Sequence, residues 1–437
     1  MSERLSAGTR LKTFLNHEVV VEKWLAEGGQ GDVYRVKYHG EDKAMKWYKP
    51  SGMGKNPDAF YRNLKNNVIN GAPSPEFLWP QDIVEAVKDG GVFGYIMDLK
   101  PEGYYEVSDF MLKRASFSSY RTAADAALHI VSAYRILHNK GYSYQDLNDG
   151  NFFINPSDGD VLIADNDNVA PDCTETGIIG KPRYMAPEIV LRKKMPDSLS
   201  DRYSMSVILF ILFVLNHPLE GRRSLASMTP ARQERMYGEE PLFIMDPDHK
   251  GNAPHPVHHK NALLVWPQLP DYMQNLFLKA FSQKALKNPN ARPAEYEWID
   301  CLARFRSEII TCRCGNEVFT QQGKSRECDR CNKMIQIPFR LKLRNYSIPG
   351  TAGSRIYRCQ LGPCNADEAL KPMAHVVANK SDVTMLGIKN LSDKNWRVAK
   401  QGTVKKFEPG RIFSLKAGMN ITVMTEVGTE TIDVIGE

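Results

Sequence analysis

A glycine-rich turn near the N-terminus constrains the fold of this chain more than any other feature. Residues 25–34 read LAEGGQGDVY and lie within strand-like sequence, with glycines at Gly28, Gly29 and Gly31. Because glycine has no side chain, the backbone amides of such a turn can approach a triphosphate closely. A β-hairpin that needs flexible glycines for its turn has the same pattern. The turn by itself leaves both interpretations open.

A lysine in the next strand-like run distinguishes between them. Lys46 follows Gly31 by fifteen residues and has apolar neighbours in the run KAMKW at residues 43–47. This spacing is similar to that of protein kinases, in which a strand lysine contacts the α- and β-phosphates of ATP beneath the glycine-rich loop. The resemblance implies that Lys46 is both a catalytic and an ATP-binding residue. It also implies four nucleotide-binding residues around the loop: Gly28, Gly29, Gly31 and Val33.

Residues 141–154, GYSYQDLNDGNFFI, resemble the kinase catalytic loop HRDLxxxN. Asp146 takes the position of the catalytic base, and Asn151 follows five residues later at a metal position. This chemistry needs a carboxylate to orient the attacking hydroxyl and an amide oxygen nearby to bind Mg²⁺. Asp165 follows the strand-like run 161–164, where kinases have the aspartate of DFG. The resemblance therefore implies Asp165 as the second Mg²⁺ ligand and a contact to the nucleotide.

The remaining kinase segments follow in the family's order. Residues 180–188, GKPRYMAPE, match the closing segment GTxxYxAPE, and Asp201 stands where the family anchors its catalytic loop. Arg292 is placed for the family's ion pair with Glu188. The chain is identified as a member of the Hanks-type (eukaryotic-like) Ser/Thr protein kinases. This resemblance implies an α+β, bilobal kinase fold over residues 14–306.

The adenine site is predicted from position in the resemblance. Met97 is expected to be the gatekeeper, and the backbone from Asp98 to Lys100 the adenine hinge, because they close a strand-like run. Thr174 and Thr176 are candidate autophosphorylation sites.

Four positions around the catalytic aspartates depart from the family. Tyr144 and Gln145 replace the His and Arg that precede the base. Without that Arg, the chain lacks the basic pocket that binds a phosphorylated activation loop, so we expect the activity to be controlled in another way. Asn166 and Asp167 replace the Phe and Gly of DFG, which places polar groups where active kinases stack an apolar spine.

The usual partner of the strand lysine is also missing. No glutamate occurs between Lys46 and Glu76, although kinases pair this lysine with a helix glutamate. Asn63, Asn66 or Asn67 would offer an amide in its place. An amide orients the lysine without balancing its charge.

Two further departures from the family form a pair. Ser/Thr kinases carry a Lys two residues after the base and a Thr in the second position of GTxxYxAPE, and here these sites hold Asn148 and Lys181. We expect Lys181 to reach back to the active site and to act beside the transferred phosphate, as a catalytic residue with Asp146 and Lys46. A solvated loop lysine is the alternative interpretation.

These departures raise a second interpretation of the whole protein. A pseudokinase scaffold would bind nucleotide or partner proteins without transferring phosphate. Against it, the chain keeps Lys46, Asp146, Asn151 and Asp165, whereas a degenerating site usually loses its metal ligands. The primary prediction is therefore an ATP- and Mg²⁺-dependent kinase that transfers the γ-phosphate to Ser or Thr of protein substrates.

A cysteine-rich segment follows the kinase region and predicts a zinc ribbon over residues 307–338. Cys312 and Cys314 are separated by thirteen residues from Cys328 and Cys331. Four thiolates on two short turns form a closed tetrahedral site, so Zn²⁺ would be structural here. The segment is too small for a hydrophobic core of its own, which argues against the alternative of free structural thiols.

Residues 339–437 alternate strand-like runs with Gly, Asn and Asp turns, which predicts an all-β, sandwich-like C-terminal domain. A kinase, a zinc ribbon and a β module together resemble bacterial kinases of tellurite-resistance and stress-associated systems. The phrases FLWP at 77–80 and DNDN at 165–168 carry this closer likeness. It implies bacterial stress signalling, with a PP2C-like phosphatase and a von Willebrand A (VWA) protein as candidate partners.

Composition argues against several other classes. The 57 basic and 51 acidic residues are spread thinly along the chain, which is weak evidence for nucleic-acid binding. Residues 1–10 lack the apolar stretch of a secretory signal, and the run 207–215 is too short to span a bilayer. Eight cysteines are too few for a disulfide framework. We therefore expect a cytoplasmic protein. A nucleic-acid binder acting chiefly through the ribbon is the third interpretation, and its affinity would fall steeply with salt.

Overall fold

The computed structural model describes residues 4–53, 56–85, 92–174, 180–320, 323–344 and 346–436. The candidate autophosphorylation site Thr176 lies outside these ranges. Within them, the chain forms a barrel lobe, a helical lobe, a cysteine module and a β-rich domain in that order.

The barrel lobe is a closed six-stranded sheet in the order β1-β2-β3-β4-β6-β5. Its elements are β1 Arg10–Thr13, β2 Glu18–Glu27, β3 Gly31–Tyr38, β4 Glu41–Tyr48, α1 Pro57–Asn70, β5 Asp82–Glu85 and β6 Phe93–Asp98. Strand β1 pairs with both β2 and β5 and so closes the barrel, although it precedes the predicted boundary at residue 14. Helix α1 follows a cap in which Asn56 Oδ1 accepts from Ala59 N at 3.1 Å.

The helical lobe surrounds α5, an apolar helix that is buried along most of its length, as expected for a helix without a polar face. Residues 122–140 have the apolar spacing of an amphipathic helix, and α3 forms there. The strands and helices of this lobe are β7 Tyr105–Glu106, α2 Val107–Met111, α3 Tyr120–Asn139, β8 Tyr142–Ser143, β9 Phe152–Ile154, β10 Val161–Ile163, β11 Ala170–Pro171, α4 Pro187–Val190, α5 Ser198–Val214, α6 Pro230–Glu234, α7 Lys260–Val265, α8 Asp271–Ala280, α9 Gln283–Lys287 and α10 Glu295–Glu308. Among the described residues, no helix combines the length and apolar content needed to cross a bilayer.

The C-terminal part is rich in strands, as predicted. The cysteine module contains two short hairpins, β12 Ile309–Thr311 with β13 Glu317–Phe319 and β14 Arg326–Glu327 with β15 Met334–Ile335. The β-rich domain has a six-stranded sheet, β17-β16-β25-β24-β21-β22, and a four-stranded sheet, β18-β19-β20-β23, which share one apolar core. Its strands are β16 Phe339–Leu343, β17 Tyr346–Pro349, β18 Arg355–Tyr357, β19 Pro372–Ala378, β20 Leu386–Asn390, β21 Trp396–Lys400, β22 Thr403–Phe407, β23 Ile412–Ser414, β24 Met419–Thr425 and β25 Gly428–Gly436.

The segment between β18 and β19 packs against the helical lobe. Arg135 Nη2 on α3 donates to the carbonyl of Cys364 at 2.8 Å. Gln360 Nε2 donates to Ser307 Oγ on α10 at 2.9 Å. Ala369 is fully buried within the core of the helical lobe. The β-rich domain and the helical lobe therefore share buried apolar surface.

Candidate active site

The glycine-rich turn joins β2 to β3 and is closed by a hydrogen bond from Gly28 N to Gly31 O at 2.8 Å. A Cβ atom at Gly31 would lie 2.3 Å from the carbonyl oxygen of Trp47 on β4, so close strand packing requires glycine there. Gly29 faces open space. Close packing thus explains the glycine at position 31, and Gly29 is the position with open space beside the backbone.

Lys46 is buried on β4, and within the described ranges its side chain donates three hydrogen bonds. Its Nζ atom donates to Gln30 Oε1 at 2.8 Å, to Asp165 Oδ1 at 3.1 Å and to Asp167 Oδ2 at 3.0 Å. Burial lowers the pKa of Lys46, but the two carboxylates outweigh burial and raise it above its ordinary value. The side chain is therefore a fixed cation beneath the glycine-rich turn.

Asp167 is a site residue that the sequence interpretation did not propose. It is fully buried in the 3₁₀ turn Asn166–Asn168, and its carboxylate accepts from Tyr48 OH at 2.5 Å and Tyr95 OH at 3.4 Å. Burial and the charge of Asp167 raise the pKa of both tyrosines well above the ordinary value, so both stay protonated donors. The counter-ion of Lys46 thus comes from the position of the DFG glycine.

The asparagines of α1 do not contact Lys46, contrary to the sequence interpretation. Asn63 Nδ2 and Asn67 Nδ2 donate to the carbonyl of Val169 at 2.8 and 2.9 Å, and Asn66 is exposed. Buried carbonyl groups need donors, and these two amides satisfy one in the loop after Asp167. Helix α1 therefore holds the backbone of this loop, whereas Lys46 is contacted by carboxylates from outside the helix.

Asp146 and Asn151 lie together in the loop between β8 and β9. Asn151 Nδ2 donates to the carbonyl of Asp146 at 2.9 Å, which leaves the amide oxygen as its possible metal ligand. Burial and the nearby charge of Asp165 raise the pKa of Asp146 to about 7, while the cations Lys181 and Lys46 act in the opposite direction. Asn151 is thus hydrogen-bonded to the backbone of Asp146, and the Asp146 carboxylate lies under the influence of the Asp165 charge.

Lys181 reaches this loop through Asn148. Its Nζ atom donates to Asn148 Oδ1 at 2.9 Å, and Asn148 Nδ2 donates to the carbonyl of Asp146 at 3.0 Å. Asn148 and Lys181, which both differ from the residues that Ser/Thr kinases have at these positions, are therefore hydrogen-bonded to each other beside the predicted base.

Asp165 follows β10 in the left-handed backbone region, with φ of 53°, which short polar residues tolerate. The next side chain, Asn166, is fully buried and donates to the carbonyls of Leu78 at 2.7 Å and Ile163 at 2.8 Å. The two phrases at 77–80 and 165–168 are thus in direct contact. Carboxylate and amide oxygens are ligands that Mg²⁺ accepts, so Asp165 and Asn151 fit a magnesium site.

Two carboxylates have the scaffold contacts predicted for them, Asp201 with the loop before Asp146 and Glu188 with Arg292. Asp201 Oδ2 accepts from Tyr144 N at 2.6 Å and contacts His138 Nε2 at 3.1 Å. Arg292 donates to both carboxylate oxygens of Glu188, at 2.8 and 2.7 Å. Both scaffold predictions are confirmed.

Comparison with known proteins decides the family. A family model described as the protein kinase domain matches residues 20–283. The chain belongs to the protein kinase family. Calcium-dependent protein kinase 7 of Oryza sativa subsp. japonica is 30% identical over 135 residues, which are 30% of this chain and 24% of that protein. Serine/threonine-protein kinase H1 of Homo sapiens is 26% identical over 219 residues, 45% of this chain and 50% of that protein.

The kinase therefore spans about a quarter to a half of the length of these two relatives. Among solved structures, it is similar to the kinase domain of Mycobacterium tuberculosis PknI, with 18% sequence identity and a TM-score of 0.45. That alignment covers 69% of this chain and 98% of the other.

The predicted adenine hinge of the kinase follows β6. Met97 is nearly buried at the end of this strand, in a cluster that also includes Val33. Asp98 Oδ1 accepts from Lys43 Nζ at 2.7 Å, and Lys100 Nζ donates to the carbonyl of Tyr104 at 3.0 Å. Both hinge side chains are thus engaged elsewhere, and an adenine contact by their backbone remains a prediction.

The four cysteines of the cysteine module lie close together. Their Sγ atoms all lie within 4.8 Å of one another, and those of Cys312 and Cys331, like those of Cys314 and Cys328, are 3.7 Å apart. Tetrahedral zinc with Zn–S bonds of about 2.3 Å separates its sulfur ligands by about 3.8 Å. The cluster therefore has the dimensions of a structural zinc site.

Proposed function

We propose that this kinase transfers the γ-phosphate of ATP to Ser or Thr side chains of protein substrates in a Mg²⁺-dependent reaction. The observation that carries the proposal is the set of Lys46, Asp165, Asp146 and Asn151, in which a buried cation, two carboxylates and an amide are linked by hydrogen bonds and charge interactions. Phosphoryl transfer is catalysed mainly by positioning and charge stabilisation, which is what such a set provides.

Each residue has a role that follows from its contacts. Asp146 orients the substrate hydroxyl and accepts its proton, while Lys46 holds the α- and β-phosphate oxygens beneath the turn at Gly28 and Gly29. Lys181, fixed beside the base through Asn148, is placed to balance charge on the transferred group. Asn151 and Asp165 would hold Mg²⁺, which neutralises phosphate charge when bound.

Incorporation of γ-labelled phosphate into the purified protein and a generic basic protein tests this function. We expect transfer by wild type and a loss of about a hundredfold or more in Asp146→Ala, the size of a general-base contribution. Asp158→Ala, the same substitution at an exposed turn, should transfer like wild type. ATP binding without transfer under any divalent metal would instead establish the pseudokinase scaffold.

We also propose that Cys312, Cys314, Cys328 and Cys331 bind one structural Zn²⁺. The sulfur separations support this assignment, because a shared metal ion explains why four thiols lie within 4.8 Å of one another. Metal analysis of the purified chain should give one zinc per molecule, and Cys328→Ser should lower that content. A wild-type protein free of zinc after purification under reducing conditions would refute the site.

A role in bacterial stress signalling, with a PP2C-like phosphatase and a VWA protein as partners, completes the proposal. Its support is the likeness of residues 77–80 and 165–168, which form one contacting unit through Asn166 and Leu78. The experiment is phosphorylation of a purified VWA protein by this kinase and its reversal by the phosphatase. Transfer to a generic substrate but not to the VWA protein would remove that partner.

A further inference from the structure

The buried carboxylate of Asp167, a counter-ion of Lys46, has no part in the catalytic roles proposed above. Its side chain is fully buried and is surrounded by donors: Lys46 Nζ at 3.0 Å, Tyr48 OH at 2.5 Å and Tyr95 OH at 3.4 Å. A buried carboxylate is costly unless it is paired and hydrogen-bonded, and this one is both. Its partners come from β4 and β6, so it links the loop after β10 to the floor of the barrel lobe.

Helix α1 supplies no charge to Lys46. The chain contains one acidic residue between Lys46 and Glu76, which is Asp58 in the exposed first turn of α1. Glu76 itself accepts from Ser74 Oγ at 2.6 Å and contacts His129 Nδ1 at 3.3 Å. Its carboxylate therefore pairs away from the lysine.

Among the residues that the structure describes, two carboxylates accept from Lys46, and both belong to the loop after β10. Asp165, the predicted metal ligand, precedes the 3₁₀ turn Asn166–Asn168, and Asp167 lies within it two positions later; both accept from the same Nζ atom. If Asp165 bound Mg²⁺, it would share its charge with the metal, and Asp167 would remain as the carboxylate dedicated to Lys46.

We propose that Asp167 is a positioning residue that holds Lys46 ready for ATP phosphates, in place of the helix carboxylate of other kinases. This inference rests on the proposed nucleotide site. The orientation of Lys46 then depends on the loop at 165–168, which also carries the metal ligand, and α1 contributes only by fixing the backbone of that loop. A shift of α1 would therefore not remove a charge partner from the lysine.

A double-mutant cycle on Lys46→Met and Asp167→Asn tests the proposal. The measured quantity is the Kd for ATP in the presence of Mg²⁺, determined by calorimetry. Asn keeps the shape and removes the charge, and its one oxygen can still accept from Tyr48 OH while its amide nitrogen faces Tyr95 OH. We expect each single variant to weaken binding about tenfold, typical of contacting residues, and the double variant to bind no more weakly than Lys46→Met. Losses that multiply in the double variant would overturn the proposal, because a structural role of Asp167 does not require Lys46.

Asp58→Asn is the matched control, since it removes the acidic residue of α1 by the same substitution and should leave the Kd unchanged. A fall in affinity for this variant equal to that of Asp167→Asn would also overturn the proposal. Should Asp167→Asn fail to fold, Tyr48→Phe replaces it in the cycle, because it removes a donor that fixes the carboxylate. This variant should weaken binding in wild type and have no effect beside Lys46→Met, whereas an equal effect in both backgrounds contradicts the proposal.

The binding readout separates this inference from the proposed activity. A chain that binds ATP but transfers no phosphate refutes the kinase activity and still lets the cycle decide on Asp167. Normal transfer with independent losses in the cycle refutes the role of Asp167 alone. Wild type without measurable ATP affinity refutes both.

Discussion

At the scale of single residues, two adjacent asparagines on α1 differ in burial and therefore in expected importance. Asn67 is buried and donates to the carbonyl of Val169, whereas Asn66 is exposed. Asn67→Ala leaves a buried carbonyl with one donor fewer, so we expect a loss of about 1–3 kcal/mol in the free energy of unfolding. Denaturant titration measures it, with Asn66→Ala as the control. Equal stability of the two variants would contradict the role of α1 in holding the loop.

His138 makes stability depend on pH. Burial lowers its pKa, but the carboxylates of Asp201 and Glu295 outweigh burial and raise it to about 9 from the ordinary 6.5. The folded state therefore holds a proton that the unfolded state releases between these values. The stabilisation is complete below pH 6.5 and is lost as pH rises through 9, with a size of the order of 3 kcal/mol.

Free energies of unfolding measured from pH 6 to 10 check this prediction. The wild-type value should fall with pH more steeply than that of His138→Gln, in which the titrating group is absent. The exposed His258, changed in the same way, should keep the wild-type dependence. Parallel curves for wild type and His138→Gln would show that His138 is not the group responsible.

The candidate site shows what sequence could predict at this scale. Lys46, Asp146, Asn151 and Asp165 could be found because motif spacing fixes their positions. Asp167 could not, because a residue at a glycine position carries no side-chain role in the motif, and its burial depends on tyrosines far away in sequence. The missing glutamate between Lys46 and Glu76, read together with an unusual acid two residues after Asp165, was the available signal.

At the scale of elements, the ion pair of Arg292 with Glu188 joins α4 to the chain before α10. The Arg292 side chain is 1% exposed and also donates to the carbonyl of Leu199. Arg292→Met leaves Glu188 without its partner, so we expect a loss of about 3–5 kcal/mol in the free energy of unfolding. Arg4→Met breaks the exposed pair with Glu27 and should cost less than about 1 kcal/mol. Similar losses in the two variants would contradict this distinction.

Elements with strong periodicity were predictable, and a short polar strand was not. The pattern at 122–140 gave α3 almost to its ends, because a long helix with one apolar face repeats its signal over several turns. Strand β1 has four residues and only Thr13 is buried, so its sequence carries too little alternation to be recognised. Its role depends on pairing with β5, a contact between distant parts of the chain.

At the scale of the whole molecule, the cysteine module is attached to the helical lobe by specific contacts. Arg121 on α3 donates to the carbonyl of Ile309, and the rings of Phe305 and Phe319 stack with centroids 5.6 Å apart. If the module needs zinc to fold, removing the metal also removes these contacts from the lobe.

We therefore expect a strong zinc chelator to lower the Tm of the full chain by several degrees. Calorimetry before and after chelation measures this change, and restoring zinc should restore the Tm. Cys328→Ser should start at the lower Tm and respond little to the chelator. An unchanged Tm after metal analysis has shown the zinc to be gone would mean that the module contributes nothing to the lobe.

The closure of the barrel by β1 limits how other chains can recognise the N-terminal lobe. An open sheet exposes the backbone N–H and C=O groups of its outer strands, and these invite a foreign strand to add on. The described strands of this lobe form a ring in which each has neighbours on both sides. A protein that docks on this lobe must therefore contact side chains and cannot pair with a free strand edge. Substitutions of surface residues, more than changes in backbone shape, would then decide which proteins bind to the lobe.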